Sequence, residues 1–233
     1  MTTLNDLYDY GLKIYQDTDF FKFSIDSILL AEFVNFHSHD RILDICTGNV
    51  PIPMILSQKD ESLSIDGVEI QKEIYDLATK SIQINNLEDR IHILNEDIKE
   101  APITEKYDIV TCNPPYFKVS GTSLKNENKI KQIARHEVHL TLEETVQLAA
   151  KFLKEQGKFY MVHRTERFLD TVKLLEKNKL GIRRIVFVYT KKDKKAEFFL
   201  IEASKCKKTD PKIYSIYTEG LKTYQNMFEE MKR

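Results

Sequence analysis

The heptapeptide Thr-Cys-Asn-Pro-Pro-Tyr-Phe, residues 111–117, places chemically capable groups directly after an apolar run. Asn113 offers a side-chain oxygen that accepts hydrogen bonds, and the carbonyl of Pro114 is a second acceptor. The two prolines fix φ and disfavour the α region at the residue before each, so this backbone is held in place without local N–H groups. Tyr116 and Phe117 add rings that can stack on a planar group. The motif therefore predicts a rigid site with two acceptors for a planar donor.

A glycine turn follows another apolar run, which ends near Asp44. The turn contains Cys46 and Gly48, and glycine lets a backbone bend tightly and come close to a ligand. Pro51, just beyond it, suits the first position of a helix. Glycine is also common in such strand-to-helix turns for purely structural reasons, so both interpretations stay open for this stretch alone.

Two further acids stand at the ends of strand-type runs. Glu69 comes 25 residues after Asp44, and an acid in this place of a dinucleotide-binding fold accepts the ribose hydroxyls of a nucleoside. Asp97 can bind the amino group of an adenine whose ring Ile98 would cover. Each acid has a structural alternative, because acids also favour helix N-termini and turns.

Seven apolar runs of strand type must position these residues. They are RILDI (41–45), SIDGVEI (64–70), RIHIL (90–94), YDIVTC (107–112), KFYMVH (158–163), RRIVFVY (183–189) and EFFLIEA (197–203). Segments with helical spacing lie between the first five, which indicates βαβ units and a mostly parallel sheet with helices on both faces. The last two runs are joined by the polar TKKDKKA, which is too short for a crossover helix, so they predict an antiparallel hairpin. Ligands bind such α/β sheets at the carboxyl ends of the strands.

One large domain is the prediction for the 233 residues, since 42% apolar residues suffice for its core. Residues 1–36 are predicted to be a lead-in with one helix, capped by Ser24, and residues 37–233 the core. Neither a membrane span nor a secretory leader is expected from the apolar runs, which favours the cytoplasm.

The cysteines and histidines predict no disulfide and no metal site. Cys46, Cys112 and Cys206 are odd in number and far apart in sequence, so we expect them to be reduced. The stretch from His136 to His139 is one residue short of the spacing found in zinc proteases.

Charge is distributed unevenly, although the formal net charge is only -1. Residues 151–212 hold 18 Lys and Arg against 8 Asp and Glu, whereas residues 1–150 hold 14 against 25. Such asymmetry is typical of a protein with a polyanionic partner. Lysines that only coat exposed helix faces are the alternative.

The spacing of these strand ends resembles the class I S-adenosylmethionine-dependent methyltransferases, and NPPY resembles their amino-methylating branch. Along its whole length the chain is similar to the bacterial tRNA adenine N6-methyltransferases that modify position 37 of a valine tRNA. Three further stretches carry that resemblance: FSIDSILLA (23–31), NEDIKE (95–100) and IARHE (133–137). It implies a Rossmann-like fold with a seven-stranded sheet and S-adenosylmethionine as the cofactor.

The same resemblance implies the cofactor site. The Asp44 to Gly48 turn, with Cys46, would hold the methionine part, and Glu69 the ribose hydroxyls. Asp97 and Ile98 would hold the adenine, and the predicted set is completed by Ile70 and Asn113. Val50 departs from the family, which usually has a second glycine there. We expect the loop to be repositioned by this branched side chain but not abolished.

The resemblance assigns a specific chemical role to the NPPY motif. The exocyclic amine of adenine is a poor nucleophile because its lone pair is delocalised into the ring. Asn113 and the Pro114 carbonyl can accept its two hydrogens and favour a pyramidal nitrogen, while Tyr116 would stack on the base. The motif does not decide which planar amine is methylated. A protein glutamine methyltransferase and a non-catalytic RNA-binding protein on this fold stay open as alternatives.

Clustered basic residues favour tRNA as the partner. Lys118 and Arg135 belong to a basic stretch after the motif, and the hairpin connection adds Lys192, Lys194 and Lys195. We predict that these five residues, with Tyr116 and Phe117, bind the substrate. An anticodon loop is single-stranded, so its base can enter a pocket at small unstacking cost. The stretch KCKK (205–208) is also predicted to reach phosphates.

Overall fold

A computed structural model describes residues 1–17, 25–116, 139–205 and 210–231. Ser24, Phe117, Lys118, Arg135 and Cys206 lie outside the described residues, so the predictions made for them stay predictions. The helices in the described part are α1 (Ile25–Phe33), α2 (Pro51–Lys59), α3 (Lys72–Ile84), α4 (Leu142–Phe152) and α5 (Phe168–Lys177). The strands are β1 (Thr2–Asp6), β2 (Lys13–Asp17), β3 (Arg41–Ile45), β4 (Ser64–Val68), β5 (Ile91–Leu94), β6 (Tyr107–Cys112), β7 (Leu153–Arg164), β8 (Gly181–Tyr189), β9 (Phe198–Ser204) and β10 (Lys212–Tyr217).

The main sheet has eight described strands in the order β10-β8-β9-β7-β6-β3-β4-β5. All its pairings are parallel except those of β9, which runs against both β7 and β8. The predicted β8–β9 hairpin is therefore confirmed. The predicted strand number was one too low, because β10 also joins the sheet, parallel to β8. β10 is an edge strand with mostly exposed side chains, so it lacks the apolar run by which the other seven were recognised.

Helices cover both faces of the sheet, as predicted. Successive side chains of a strand point to opposite faces, and β7 shows this clearly: Tyr160 packs in the apolar cluster that includes α1 and α2, whereas Phe159 packs in the cluster that includes α4. Both clusters consist of apolar side chains that are almost completely buried. No helix in the described segments is both long and apolar enough to cross a lipid bilayer.

The first 36 residues contain more structure than the predicted single helix. α1 is present, but β1 and β2 precede it and form an antiparallel hairpin. Backbone N–H groups of Lys13 and Tyr15 donate to Asn85 Oδ1 and Ser81 Oγ, each at 2.9 Å, which docks the hairpin on α3. Contacts this distant in sequence leave no local signal. The extent of the domain, residues 1–233, stays a prediction.

Strand direction decides which loops lie together at the same end of the strands. The carboxyl ends of the parallel strands β3, β4, β6, β7 and β8 therefore lie together, on a side of the sheet that we call its carboxyl edge. The β8–β9 loop, which contains Lys192, Lys194 and Lys195, lies at the same carboxyl edge. β9 runs the other way, so Lys205, just beyond its end, lies at the opposite edge. Its Nζ donates to Leu153 O at 2.7 Å there. Lys205, the described lysine of KCKK, is therefore remote from the loops that follow β3 and β6.

Candidate active site

Asp44, near the end of β3, holds the turn that follows this strand in place. This carboxylate is 1% exposed and accepts hydrogen bonds from Thr47 Oγ1 at 2.8 Å and Thr111 Oγ1 at 2.5 Å. Burial raises the pKa of Asp44 to about 7, and the two threonine hydroxyls partly offset this increase. Asp44 thus ties the turn to β6 and does not itself line the cavity above it.

Gly48 lies at the top of this turn with the backbone open to a ligand. Its φ is +56°, in the region that favours glycine, and a Cβ placed there would meet no atom within 4 Å. Thr47 N–H donates to Val68 O at 3.0 Å, which fixes the turn to the end of β4. The turn therefore presents uncovered main chain to the cavity.

Val50 adopts the left-handed conformation that a glycine would adopt more easily, with φ 64°. Its side chain is fully buried in the apolar cluster with α1 and α2 and is not among the residues that line the cavity. Its N–H donates to Thr47 O at 3.0 Å, which closes the turn. A β-branched residue is strained at this φ, but the burial of its methyl groups offsets that strain.

Glu69 joins two strand ends. Its Oε2 accepts from Gly48 N–H at 3.0 Å and its Oε1 from Gln71 N–H at 2.9 Å. The side chain is only 5% exposed, and burial raises its pKa to about 7 although both backbone donors counteract the shift. Asn95 Nδ2 donates to the Glu69 carbonyl at 2.8 Å and holds the loop from the far side.

A cleft opens above these strand ends and encloses about 940 Å³ of empty space, counted to its open mouth. The structure brings seven of the predicted cofactor residues to its lining: Cys46, Gly48, Glu69, Ile70, Asp97, Ile98 and Asn113. Among the predicted catalytic residues, Pro114 and Tyr116 are not part of the lining, whereas Pro115 is.

Asp97 and Ile98 form one wall of the cleft. Ile98 is buried and Ile70 is 37% exposed, and both contribute apolar surface to the lining of the cleft. Asp97 Oδ2 lies 3.4 Å from Lys99 Nζ, and its Oδ1 accepts from the Lys99 N–H at 3.0 Å. The carboxylate is thus fixed at the rim of the cleft.

The NPPY segment contacts α1. Asn113 Nδ2 donates to Ser27 Oγ at 2.9 Å, and the Tyr116 hydroxyl oxygen lies 2.6 Å from Asn113 Oδ1 and also contacts Asp26. The Tyr116 ring lies 5.2 Å from that of His163, between centroids, and Tyr116 is not among the residues that line the cleft. Burial raises the pKa of Tyr116 above its usual value, so this hydroxyl keeps its proton at neutral pH.

Cys46 and Cys112, far apart in sequence, are neighbours in the structure, and both are free thiols. Burial, followed by the contact with Cys46, raises the pKa of Cys112 well above its usual value. This thiol is therefore protonated and unreactive. Within the described residues, no group of three or more His, Cys, Asp and Glu could hold a metal ion.

Several lining residues were missed by the sequence analysis. Gln71 is 7% exposed, and its Oε1 has no hydrogen-bond partner among the described residues, so it can accept from a ligand. Ser27 and His139 also line the cleft. Gln71 could have been predicted from the sequence, because it is the second residue after Glu69 at the end of a strand. Ser27 had no such signal, because only the tertiary structure brings α1 to the cleft.

The three hairpin lysines are exposed at the carboxyl edge of the sheet. Lys195 Nζ donates to Glu166 at 3.1 Å, and the Lys192 N–H donates to Glu219 at 2.8 Å. β8 is three strands from β6 in the sheet, a separation of about 14 Å. A polynucleotide bound over this edge can reach the hairpin and the cleft together.

The chain is similar to known methyltransferases in both sequence and fold. Residues 20–187 match the family model of the methyltransferase small domain. A tRNA1(Val) (adenine(37)-N6)-methyltransferase of Tolumonas auensis is 31% identical over 195 residues, which cover 82% of this chain and 80% of that protein. A protein of the same name in Dyadobacter fermentans is 25% identical over 223 residues, 94% and 91% of the two chains.

Solved structures show the same fold at lower identity. A predicted O-methyltransferase of Agrobacterium tumefaciens, Atu636, superposes with a TM-score of 0.69 at 17% identity, covering 89% of this chain and 95% of that one. The aTrm5 protein, in complex with tRNALeu, gives a TM-score of 0.61 at 16% identity, with 87% and 52% covered. The chain belongs to the methyltransferase small-domain family and is an S-adenosylmethionine-dependent methyltransferase.

Proposed function

We propose that this enzyme methylates N6 of an adenine in tRNA, at position 37 in the anticodon loop of a valine tRNA. One observation carries the proposal: Asn113 of the NPPY motif opens into the same cleft as Gly48 and Glu69, so a methyl donor and an amine acceptor can meet there. The names of the relatives in Tolumonas auensis and Dyadobacter fermentans support adenine 37 of tRNA1(Val) as the substrate.

The residues of the cleft fit S-adenosylmethionine. Glu69 has lone pairs left for ribose hydroxyls, because Gly48 and Gln71 N–H groups use only one position on each oxygen. Ile70 and Ile98 can pack on the two faces of an adenine, and the open main chain at Gly48 leaves room for the methionine part. The bound cofactor supplies a methyl group on a positively charged sulfur, which is electrophilic without any metal.

Asn113 and Pro114 make the amine reactive. The Asn113 oxygen and the Pro114 carbonyl each accept one N–H of the substrate amine, which draws its lone pair out of the ring and towards the methyl carbon. Rigid prolines hold these acceptors in place before the substrate arrives. No group of the enzyme needs to form a covalent bond.

Tyr116 has contacts that favour a different role from the predicted stacking. Its ring packs against His163 and, at 6.2 Å between centroids, Phe198. Its hydroxyl touches Asn113. We therefore propose that Tyr116 supports the Asn113 amide, and that Phe117 is the ring of the motif available to the base.

Electrostatic attraction would hold the RNA. Lys192, Lys194 and Lys195 stand exposed at the edge of the sheet where the cleft opens, so they can contact phosphates on either side of the target base. Lys118 and Arg135 are proposed to extend this contact. A tRNA substrate supports the proposal that the enzyme acts in the cytoplasm.

Methyl transfer to two matched transcripts tests the proposal. One is a valine tRNA with adenine at position 37, and the other differs only by guanine there. Labelled S-adenosylmethionine should yield N6-methyladenosine in the first transcript and no label in the second. Label in release-factor glutamine, with none in tRNA, would assign the enzyme to the protein-methylating class.

A further inference from the structure

The first turn of α1 orients the Asn113 side chain. Ser27 Oγ accepts a hydrogen bond from Asn113 Nδ2 at 2.9 Å, and Ser27 itself is 5% exposed and lines the cleft beside Asn113. Because the amide nitrogen is bound to Ser27, the amide oxygen is the end that remains available to a donor in the cleft.

Asp26 controls the neighbouring hydroxyl. The Tyr116 O–H contacts both Asp26 Oδ2 and Asn113 Oδ1, but a phenol has one proton, and a carboxylate is a stronger acceptor than an amide. Asp26 is 1% exposed, and its other oxygen accepts from the Ser27 N–H at 2.8 Å. The Tyr116 proton is thus directed to Asp26, which leaves both lone pairs of the Asn113 oxygen for other donors.

We propose that Ser27 and Asp26 are positioning residues for methyl transfer. Ser27 fixes which end of the Asn113 amide faces the substrate amine, and Asp26 keeps the Tyr116 proton away from the Asn113 oxygen. This inference rests on the proposed function, because it requires Asn113 to accept a hydrogen bond from an amine. Neither residue touches the reacting atoms.

The loss of either contact is expected to lower the reactivity of the substrate amine, because hydrogen-bond donors and acceptors would then be mismatched. An Asn113 amide turned by half a rotation presents its NH2 to the substrate NH2, so two donors face each other and no hydrogen bond forms. A Tyr116 proton on Asn113 Oδ1 occupies one of the two lone pairs of that oxygen and weakens it as an acceptor for the substrate amine. In both cases the amine is less reactive, whereas the binding of cofactor and RNA is unchanged.

Replacement of Ser27 tests the first contact in the full-length enzyme with the adenine-37 transcript. Ser27→Ala should lower kcat by about 5- to 10-fold, the value of one lost hydrogen bond of about 1 kcal/mol, with KM for the transcript unchanged. Ser27→Thr keeps the hydroxyl and should restore most of the rate. In an Asn113→Ala background, Ser27→Ala should have no further effect, because its target is gone. Full additivity of the two losses would overturn the proposal.

Replacement of Asp26 tests the second contact. In Asp26→Asn the amide oxygen stays on the Ser27 N–H, so the new NH2 donates to the Tyr116 oxygen and turns the Tyr116 proton onto Asn113. We expect kcat to fall about tenfold. Adding Tyr116→Phe removes that proton while keeping the ring, so the double variant should be more active than Asp26→Asn alone. A double variant that is slower still would contradict this role.

Glu32→Gln is the matched control on the same helix. Glu32 is fully buried and pairs with Lys59 and Tyr10, so its replacement destabilises α1 without touching the NPPY segment. It should lower the melting temperature but leave kcat per folded molecule unchanged.

The two hypotheses can fail separately. A normal rate of methyl transfer in Asn113→Ala would contradict the proposed function itself. A low rate of methyl transfer in Asn113→Ala, together with normal rates in Ser27→Ala and Asp26→Asn, would contradict only the positioning roles of Ser27 and Asp26.

Discussion

Glu69 Oε2 accepts a hydrogen bond from the Gly48 N–H at 3.0 Å, and this contact joins the loops that follow two neighbouring strands. Glu69 is buried, and its pKa is raised to about 7. The carboxylate that we assign to the ribose is therefore half protonated at a pH near neutrality, which makes its binding function sensitive to pH.

Binding of adenosine should strengthen as pH rises from 6 to 8. Only the ionised Glu69 can accept from both ribose hydroxyls, so with a pKa of about 7 the affinity should increase about tenfold over this range. Adenosine itself does not titrate there. Calorimetry in two buffers of different ionisation enthalpy should show proton release at pH 7. Glu69→Gln should bind weakly and without pH dependence, and a wild-type affinity that is flat with pH would refute the assignment.

Stability of the free protein should show the opposite trend with pH. The pKa values of Asp44 and Glu69 are both raised to about 7 in the folded state, so between about pH 4 and 7 the folded state holds protons that the unfolded state has lost. Their contribution to the free energy of unfolding is complete below the unfolded pKa values and is lost as pH rises towards 7. Urea unfolding from pH 5 to 8 should show less decline for Asp44→Asn than for the wild type. A steeper decline in the variant would contradict this sign.

Asn113→Ala should separate catalysis from binding. The loss of one preorganised acceptor is expected to lower kcat by about 10²–10³, while the dissociation constant for S-adenosylmethionine changes little. Single-turnover methyl transfer to the adenine-37 transcript measures the rate. Asn178→Ala is the control, because among the described residues the Asn178 side chain forms its hydrogen bond with Leu174 O, at the end of α5. Near-normal turnover in Asn113→Ala would remove the amide from the mechanism.

Val50→Gly should change stability more than binding. The substitution relieves the strain at φ 64°, but it loses about 1.5–3 kcal/mol of apolar burial, so we expect net destabilisation by about 1–2 kcal/mol. The affinity for S-adenosylmethionine should stay within about threefold, since the side chain does not line the cleft. Affinity more than tenfold tighter would instead show that Val50 displaces the cofactor loop. Chemical unfolding and calorimetry measure the two effects.

Replacing the hairpin lysines should weaken RNA binding in a salt-dependent manner. The triple change of Lys192, Lys194 and Lys195 to Ala should reduce the slope of log K against log salt by up to about 3, with kcat at saturating RNA unchanged. Lys205→Ala, at the opposite edge of the sheet, is the control and should have a smaller effect per charge on the RNA affinity. Equal effects per lysine would mean that the RNA does not dock on the carboxyl edge.

Local sequence patterns predicted the strands that carry strong apolar runs. β3 and β6 match their predicted bounds, because buried strands require continuous apolar residues whatever surrounds them. The β8–β9 hairpin was predictable from the shortness of its connection. β1 and β10 were missed since they are largely exposed. β2 was missed since only two of its five residues are buried, and its position depends on contacts with distant residues such as Asn85.

The sequence by itself determined the chemistry of this protein, since the glycine turn, the acids at strand ends and NPPY each have a local backbone or charge requirement that few residue types meet. Only the tertiary structure decided what those groups touch. It placed Asp44 beneath the turn, put the Tyr116 ring against His163, and brought Ser27 to Asn113 across 86 residues. The physical reason is that a hydrogen bond depends on distance and direction in space, and sheet topology sets both without leaving a mark on the neighbouring residues of the chain.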